Sequence, residues 1–374
     1  MERQPPPPTT NPTREGYAFV GWYSDEQFTN KYDFTTPVTS SFTLYAKWGI
    51  GITSDTVASV IAGLSGVGPY TLVATGEWSS DNLSTLAEKL KDENKKVNLD
   101  LSGVEGLETI GDYAFSNCSS LKSITIPDSV KTIGDYAFNW CSSLTSITIP
   151  SSVKTIGVAT FNCCSSLTSI NIPASVTTIG DGAFVDCSSL NISVNENNTT
   201  YSSEDGMLLN KEKTILIAYP SAKGTVTNVP TSVTTIGKLA FAGCSNLATV
   251  TFGVESQLTS IGERAFDICS SLTSITIPAS VTSIGDFAFD SCISLTSISL
   301  PSSVTSIGKR AFVECSNLAT VTMEATEPPT LYDDVFNKTS DDLQILVPNV
   351  VNYTNEAAKE KGWDSYKDKI KAKE

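Results

Sequence analysis

The cysteines are the first residues of this chain that could do chemistry, because thiolates act as nucleophiles and as metal ligands. The 374 residues contain nine cysteines and no histidine. Without histidine there is no Ser-His or Cys-His pair, no His-ligated zinc and no imidazole proton shuttle. Any catalysis would have to use carboxylates, lysine or tyrosine.

The spacing of the cysteines argues against a metal site or a set of disulfides. Eight of them recur in steps of 23 to 25 residues on either side of one 57-residue gap, at positions 118, 141, 164, 187, 244, 269, 292 and 315. These eight form no C-x-x-C pair, so we expect no zinc and no other metal. An odd number also fits poorly with full pairing. We therefore expect buried free thiols that act as small apolar side chains, with Cys163 facing outward as the most reactive one.

The acidic residues are the other possible source of chemistry. Asp and Glu outnumber Lys and Arg by 40 to 25, which gives a net charge of −15. A hydrolase without histidine needs two or three acids close together, with their pKa values pushed apart. Here the acids fall in predicted turns, and the pairs Asp333-Asp334 and Asp341-Asp342 are only a weak metal signal. We expect a protein without enzymatic activity or cofactor, and one that avoids nucleic acid.

A 23-residue repeat is the element that positions these side chains. Glycine and phenylalanine follow the same period as cysteine. In one unit Leu144, Ile147 and Ile149 have the L-x-x-L-x-L spacing, which predicts a short strand with an apolar inner face. Pro150 ends the strand, and Gly157 allows the chain to turn back. One coil cannot bury its apolar edge alone, so the coils must stack around a continuous core.

The repeat unit resembles the BspA-like leucine-rich repeats of bacterial surface proteins over residues 102–323. The phrase Ser-Leu-Thr-Ser-Ile-Thr-Ile-Pro recurs at 143–150 and 271–278, and Ala-Phe-x-x-Cys-Ser recurs as well. The resemblance implies an α/β, β-rich solenoid with short parallel strands on its concave side. It also implies adhesion to host extracellular matrix or surface glycoproteins, or to other bacteria, by a secreted or cell-surface protein.

Both ends of the repeats read as caps, which shield the open core of a solenoid. Apolar periodicity predicts helices around 57–64 and 83–90, and strands at 70–75 and 97–101, so residues 50–101 form an α-β-α-β cap. Residues 324–374 form a small C-terminal cap, with a strand at 345–347, a short helical segment at 352–370 and a solvated lysine-rich end.

Residues 1–49 are a separate object, a Pro-rich start followed by a small surface module. The phrase Thr13-Arg14-Glu15-Gly16-Tyr17 and the aromatic residues up to Trp48 resemble the internalin-type Listeria–Bacteroides repeat. The resemblance covers only the C-terminal half of that module, so we expect a truncated unit that orders only if it docks on the cap. The start lacks the apolar segment of a signal peptide, and no apolar run is long enough for direct membrane insertion.

The 57-residue gap predicts an interruption of the solenoid near 191–230. Two apolar segments flank a polar turn at 210–213, which predicts a β-hairpin at 207–219. We expect this hairpin to project and to form a second binding surface. The alternative is that it replaces one coil's convex segment and binds nothing.

The outward face of the predicted strands is the best binding candidate, because solenoids present long surfaces to macromolecules. This face carries hydroxyls and amides, without charge or aromatic side chains. The predicted binding residues are Ser146, Thr148, Ser169, Asn171, Thr249, Thr251, Ser274, Thr276, Thr320 and Thr322. We expect a monomer. Two other functions stay open: a carbohydrate-binding module, which usually needs exposed aromatic rings, and a passive spacer that displays another domain.

Overall fold

The computed structural model describes residues 10–35, 38, 40–66, 68–219 and 229–373. They form a stack of coils in which each regular coil adds one strand to each of two ladders of parallel strands. The predicted β-rich repeat fold with parallel strands is confirmed. The first and last elements of the stack are the caps.

The N-terminal end is a mixed α/β layer on one sheet. Its elements are, in chain order, β1 (Tyr17–Tyr23), β2 (Tyr45–Ile52), α1 (Val57–Ala62), β3 (Tyr70–Glu77), α2 (Ser80–Glu93) and β4 (Val97–Glu105). β1 is antiparallel to β2, whereas β2, β3 and β4 pair in parallel. The predicted α-β-α-β cap is confirmed. The small module docks on it, because β2 crosses positions 49 and 50 and pairs directly with β3.

Helix α2 shows why the cap forms locally. The Ser79 hydroxyl accepts a hydrogen bond from the Asn82 backbone N–H, and the Asn82 side chain accepts one from the Ser79 backbone N–H. This capping box satisfies two backbone donors at the start of the helix, and Asn94 ends the helix in a left-handed conformation. The apolar face buries Leu83, Leu86, Ala87 and Leu90.

The first block of coils continues this sheet. Its strands are β5 (Thr109–Ile110), β6 (Leu121–Thr125), β7 (Thr132–Ile133), β8 (Ser146–Thr148), β9 (Thr155–Ile156), β10 (Ser169–Ile172), β11 (Thr178–Ile179) and β12 (Asn191–Val194). The longer, even-numbered strands extend the cap sheet through β6 and β8 and then pair as β10 with β12. The two-residue strands form the second ladder in the order β11-β9-β7-β5. We call the solvent side of these even-numbered strands, together with that of the equivalent strands in the second block, the strand face.

The interruption contains β13 (Tyr201–Glu204), β14 (Met207–Asn210) and β15 (Ile215–Ala218). β14 and β15 form the predicted hairpin, but the expectation that it projects is wrong. Leu209 and Leu216 are fully buried, and β15 pairs in parallel with residues 235–236 of the next coil. Because both strands carry apolar side chains, the hairpin replaces one rung of the second ladder, as the alternative interpretation held.

Asn198 fastens the interruption to the preceding coil. Its buried side-chain amide donates hydrogen bonds to the carbonyls of Pro173 and Val176, at 2.8 and 3.0 Å. Its side-chain oxygen accepts from the backbone N–H groups of Thr200 and Tyr201, both at 2.8 Å. All four hydrogen-bonding positions of this amide are therefore satisfied away from water.

The second block of coils follows the interruption. Its strands are β16 (Thr235–Ile236), β17 (Thr249–Val250), β18 (Ser260–Ile261), β19 (Ser274–Ile275), β20 (Ser283–Ile284), β21 (Ser297–Leu300), β22 (Ser306–Ile307), β23 (Thr320–Met323) and β24 (Thr330–Leu331). The even-numbered strands β16, β18, β20, β22 and β24 continue the second ladder, and the odd-numbered strands between them lie on the other side of each coil. β17 pairs with β19, and β21 pairs with β23.

The C-terminal cap closes the second block. Its elements are β25 (Gln344–Val347), α3 (Val350–Thr354), α4 (Glu356–Glu360), a 3₁₀ helix (Asp364–Lys369) and β26 (Ile370–Ala372). Trp363 is fully buried, and its indole N–H donates to the Pro329 carbonyl at 2.7 Å. The predicted cap is confirmed, but the lysine-rich end is not simply solvated. β26 pairs with β25, because Ile370 buries its side chain on the open end of the stack.

Repeated side chains fill the core. Phenylalanine rings of successive coils stack almost parallel, with centroids 5.4 to 5.8 Å apart from Phe115 to Phe184 and 4.7 to 5.5 Å apart from Phe241 to Phe336. The coils approach each other most closely at the glycine corner. A Cβ atom on Gly285 would lie 2.7 Å from the backbone nitrogen of Glu263, so a larger residue does not fit there.

Candidate functional site

The predicted binding residues all lie on the strand face and all reach solvent. Ser146, Thr148, Ser169, Asn171, Thr251, Ser274 and Thr276 are exposed, and Thr249, Thr320 and Thr322 are half-exposed. Parallel pairing aligns them into two rows, since Ser123 lies opposite Ser146 and Thr125 opposite Thr148. The interruption separates the rows of the first block from those of the second. The structure thus brings each half of the predicted set together, and its role in binding stays a prediction.

Charged groups bound the strand face, although the sequence predicted a face without charge. At the N-terminal end, Lys31, Lys47 and Asp100 line a depression that Ser123 and Thr125 also line. At the other end, Glu324 accepts hydrogen bonds from Lys373, at 2.5 Å, and from the Ser299 hydroxyl, at 3.1 Å. These bonds, the one from Lys373 first, lower the pKa of Glu324 below its usual value. Sequence reasoning missed both ends because non-neighbouring segments supply the lysines.

A second surface runs along the turns that follow the glycine corners. In every regular coil two residues, four apart, have a positive φ between 48° and 71°. We call their side chains the turn edge. Its first row is Tyr113, Tyr136, Ala159, Gly182, Leu239, Arg264, Phe287, Arg310 and Asp334, and its second row is Asn117, Trp140, Cys163, Asp186, Gly243, Ile268, Ser291, Glu314 and Lys338.

Hydrogen bonds between coils hold the turn edge in this unusual conformation. The backbone N–H of Tyr113 donates to the Asp135 carbonyl at 2.9 Å, and that of Tyr136 donates to the Val158 carbonyl at 2.8 Å. A left-handed conformation costs a non-glycine residue about 1–2 kcal/mol, which these bonds help to offset. Gly182 and Gly243 are a sequence signal for this edge, since glycine favours a positive φ, and Asn117 and Asp186 are a weaker one.

The turn edge exposes the aromatic side chains that the strand face lacks. Tyr113 is 58% exposed and Trp140 is 55% exposed. The rings of Tyr113 and Tyr136 stack with centroids 4.9 Å apart and an interplanar angle of 5°. Because neighbouring coils align equivalent positions, the edge forms continuous rows whose residues differ from coil to coil.

The cysteines form a buried ladder, and all nine are free thiols, as predicted. In most coils the thiol donates to the phenylalanine carbonyl of the preceding coil, for example Cys141 to Phe115 and Cys164 to Phe138, both at 3.1 Å. Burial raises the pKa of the Cys141 and Cys164 thiols far above its ordinary value.

Cys163 is the one half-buried cysteine, as expected, but its environment does not activate it. Burial first, and then the neighbouring Asp186 carboxylate, raise the pKa of Cys163 to about 11. At neutral pH it is therefore a thiol and a weak nucleophile, since only the thiolate reacts readily.

The described residues contain no group of three or more His, Cys, Asp or Glu arranged to hold a metal ion. Asp333 and Asp334, the weak metal signal, lie 3.9 Å from Lys309 and 3.5 Å from Arg310, measured between charged atoms. Within the same described ranges, no helix is both long enough and apolar enough to cross a bilayer.

Solved structures of other proteins share this architecture, and two of them superimpose with TM-scores above 0.5. The pneumococcal vaccine antigen PcpA superimposes with a TM-score of 0.53 at 23% identity, over 74% of this chain and 77% of that one. A leucine-rich cell surface protein from Faecalibacterium prausnitzii A2-165 gives a TM-score of 0.55 at 24% identity, over 93% and 96%. At these identities the likeness shows the fold alone, which is a leucine-rich repeat fold.

The family follows from the sequence of the coils. The model of the BspA type leucine-rich repeat region matches residues 94–205 and 218–352 in six copies, about two thirds of the chain. The chain therefore belongs to the BspA-type leucine-rich repeat family, whose members are bacterial surface proteins with interaction repeats. The model of the Listeria-Bacteroides repeat domain matches residues 4–47.

Curated relatives match only a short segment. Two proteins of Evansella cellulosilytica, named as candidate membrane proteins, are 48% and 50% identical to this chain over 44 residues. That segment is 12% of this chain but 7% and 5% of the two proteins, so the match says nothing of their other parts.

Proposed function

We propose that this chain is a non-enzymatic adhesion scaffold that binds host matrix glycoproteins or other microbial surfaces along the strand face. It acts as a monomer, at the cell surface or secreted. The observation that supports this most is the register of two rows of hydroxyl and amide side chains on successive coils. Neighbouring strands lie about 4.8 Å apart, so the rows repeat hydrogen-bonding groups at a fixed interval. Weak contacts to a long partner add up over several coils.

On the strand face, the distribution of acids supports a role without catalysis. Asp100 and Glu324 border the strand face at opposite ends of the stack, and the hydroxyl rows lie between them. A carboxylate-based hydrolase holds its two acids only about 5–10 Å apart. The net charge of −15 supports partners other than nucleic acid.

The test introduces charge into the rows and asks whether adhesion falls. The double variant Thr148→Lys/Thr276→Lys adds one long cationic side chain to the strand face of each block. Thr282→Lys is the matched control, because Thr282 is exposed on the other side of the coil and the equivalent positions naturally carry Lys131 and Lys154. Binding is measured on a solid-phase panel of matrix glycoproteins and whole bacterial cells.

We expect the double variant to bind at least about tenfold more weakly, and the control to bind like the native chain. Equal binding by all three proteins would show that the strand face is not the contact surface. If the native chain binds nothing on the panel, a passive spacer becomes the better interpretation.

A further inference from the structure

A groove crosses the turn edge at the junction between the two blocks. It has a volume of about 530 Å³, and its lining includes Tyr136, Ala159, Gly182, Leu239 and Arg264. These five residues follow one another along the first row of the turn edge, one from each of five regular coils. The groove exists because two neighbouring positions of this row carry small residues. Ala159 has only a methyl group and Gly182 only a hydrogen, where Tyr136, Leu239 and Arg264 have large side chains. Its size is in the range of small-ligand sites.

One wall of this groove is the open face of an aromatic ring. Tyr113 covers one face of Tyr136, with parallel rings at 4.9 Å. Tyr136 is half-buried and lines the groove, and the next coil carries only the small Ala159 at the same position. Aromatic faces are electron-rich and attract the polarised C–H groups of a sugar ring. Tyr136 thus offers a flat apolar platform of pyranose size, already held in place by its neighbour.

The rim of the groove supplies paired charges. The Lys238 ammonium lies 3.1 Å from the Glu263 carboxylate and 3.8 Å from that of Asp181. The Arg264 guanidinium lies 2.8 Å from the Asp267 carboxylate and 4.4 Å above the Phe287 ring. The charged residues that line the groove are two cations and two anions, and Asp267, the partner of Arg264, adds one negative charge beside them. The rim therefore presents donors and acceptors for hydroxyl groups without attracting an anion.

We infer that this groove binds a neutral pyranose unit of a glycan, stacked on Tyr136 and hydrogen-bonded to the Asp181–Lys238–Glu263 cluster. The inference rests on the proposed adhesion function and gives it a ligand class. It places glycan recognition on the turn edge, away from the rows of the strand face. An aromatic face next to paired charges with one negative charge in excess suits an uncharged sugar better than a sulfated or carboxylated one.

The coils themselves provide two variants that should fold. Tyr136→Ala removes the platform, and the backbone tolerates alanine there because Ala159 has a φ of 48° at the equivalent position. Ala159→Tyr adds a third tyrosine to the stack, since Tyr113 and Tyr136 fit at that position in the two preceding coils. This second variant covers the open face and fills the groove. Tyr332→Ala, which removes a 59% exposed tyrosine outside both rows, is the control.

Binding is measured by titration calorimetry and saturation-transfer NMR. The neutral probes are hexasaccharides of glucose, mannose and N-acetylglucosamine, and the anionic probe is a heparin hexasaccharide. We expect at least one neutral probe to bind, and both groove variants to bind it at least about tenfold more weakly, equivalent to roughly 1.4 kcal/mol. The Tyr332→Ala control should keep the native affinity. Circular dichroism verifies the fold of each variant.

Three results would overturn the inference: no binding of any neutral probe, equal binding by the native chain and both groove variants, or binding of the heparin probe alone. The strand-face variant Thr148→Lys/Thr276→Lys separates the two proposals. If it loses adhesion on the solid-phase panel but keeps the sugar affinity, both proposals stand. If the panel shows adhesion while the native chain binds no sugar, only the groove proposal fails.

Discussion

The interior ladders and the turn edge use the same period in opposite ways. Inside the stack the same residue recurs at the same point, as Phe115, Phe138 and Phe161 do. Along the first row of the turn edge the same backbone carries a tyrosine, an alanine, a glycine, a leucine or an arginine. Coil-to-coil contact demands identity only where side chains are buried between neighbours. Where side chains reach solvent, the fold is indifferent to their chemistry, and recognition can differ from coil to coil.

Two phenylalanines that lie two positions apart should show the largest difference in the free energy of unfolding between the interior and the turn edge. Phe289 is fully buried between the rings of Phe266 and Phe312, whereas Phe287 lies half-exposed on the turn edge. Phe289→Ala should lower the free energy of unfolding by about 4 kcal/mol, because it leaves a cavity in the stack. Phe287→Ala should cost under about 1 kcal/mol, the value of its cation–π contact with Arg264. Urea denaturation followed by circular dichroism measures both, and similar losses would contradict the contrast.

A pair of glycines gives a smaller effect of the same kind. Gly285→Ala places a Cβ against the backbone of the preceding coil, which cannot move aside, so we expect a loss of about 3 kcal/mol. At Gly182 on the turn edge, an added Cβ would lie 3.0 Å from the end of the Leu239 side chain and 3.5 Å from a methyl group of Val185. Because these are side-chain atoms and Ala159 adopts a similar φ, we expect Gly182→Ala to cost about 1 kcal/mol. Thermal unfolding of the two variants ranks them, and a reversed order would contradict the assignment of the glycine corner as the tightest contact.

Two adjacent cysteines should differ in the rate at which their thiols are labelled. This is the smallest of the expected effects, because it leaves the stability of the protein unchanged. Cys164 belongs to the ladder and Cys163 to the turn edge. Because the pKa of Cys163 is raised to about 11, roughly 0.1% of it is thiolate at pH 8, and labelling should speed up about tenfold per pH unit until the pH approaches that pKa. Asp186→Asn removes the nearby charge, lowers the pKa of Cys163 and should speed its labelling.

Native Ellman titration with mass spectrometry of the labelled peptides identifies which thiol reacts. Rapid labelling of Cys164, or a rate for Cys163 that is already constant at pH 8, would contradict these environments.

The features that could be predicted from the sequence are those that its 23-residue repeat and its apolar periodicity encode. The spacing of phenylalanine, cysteine and glycine gave the buried ladders, and the alternation around Ile147 gave the outward direction of Ser146 and Thr148. The capping helix α2 was also predictable, since its apolar period is local.

The remaining features depend on contacts between distant segments. The pairing of β2 with β3 and the insertion of the hairpin into the second ladder join segments that no local pattern relates. The role of Asn198 has no signal, because the carbonyls it satisfies lie 22 and 25 residues earlier. The groove beside Tyr136 depends on which residues are small in two later rungs, and a left-handed backbone at Ala159 is not encoded by its residue type.

The stacked phenylalanine ladder also means that the distance between the two caps is set by the number of coils. Each coil contacts only its neighbours, and its ring lies about 5 Å from the next one. Loss or gain of one 23-residue unit would therefore change the separation of the two caps by about 5 Å and leave every remaining contact intact. Such length changes would also add or remove one position of each turn-edge row, so the reach of the protein and its set of recognition residues would vary together.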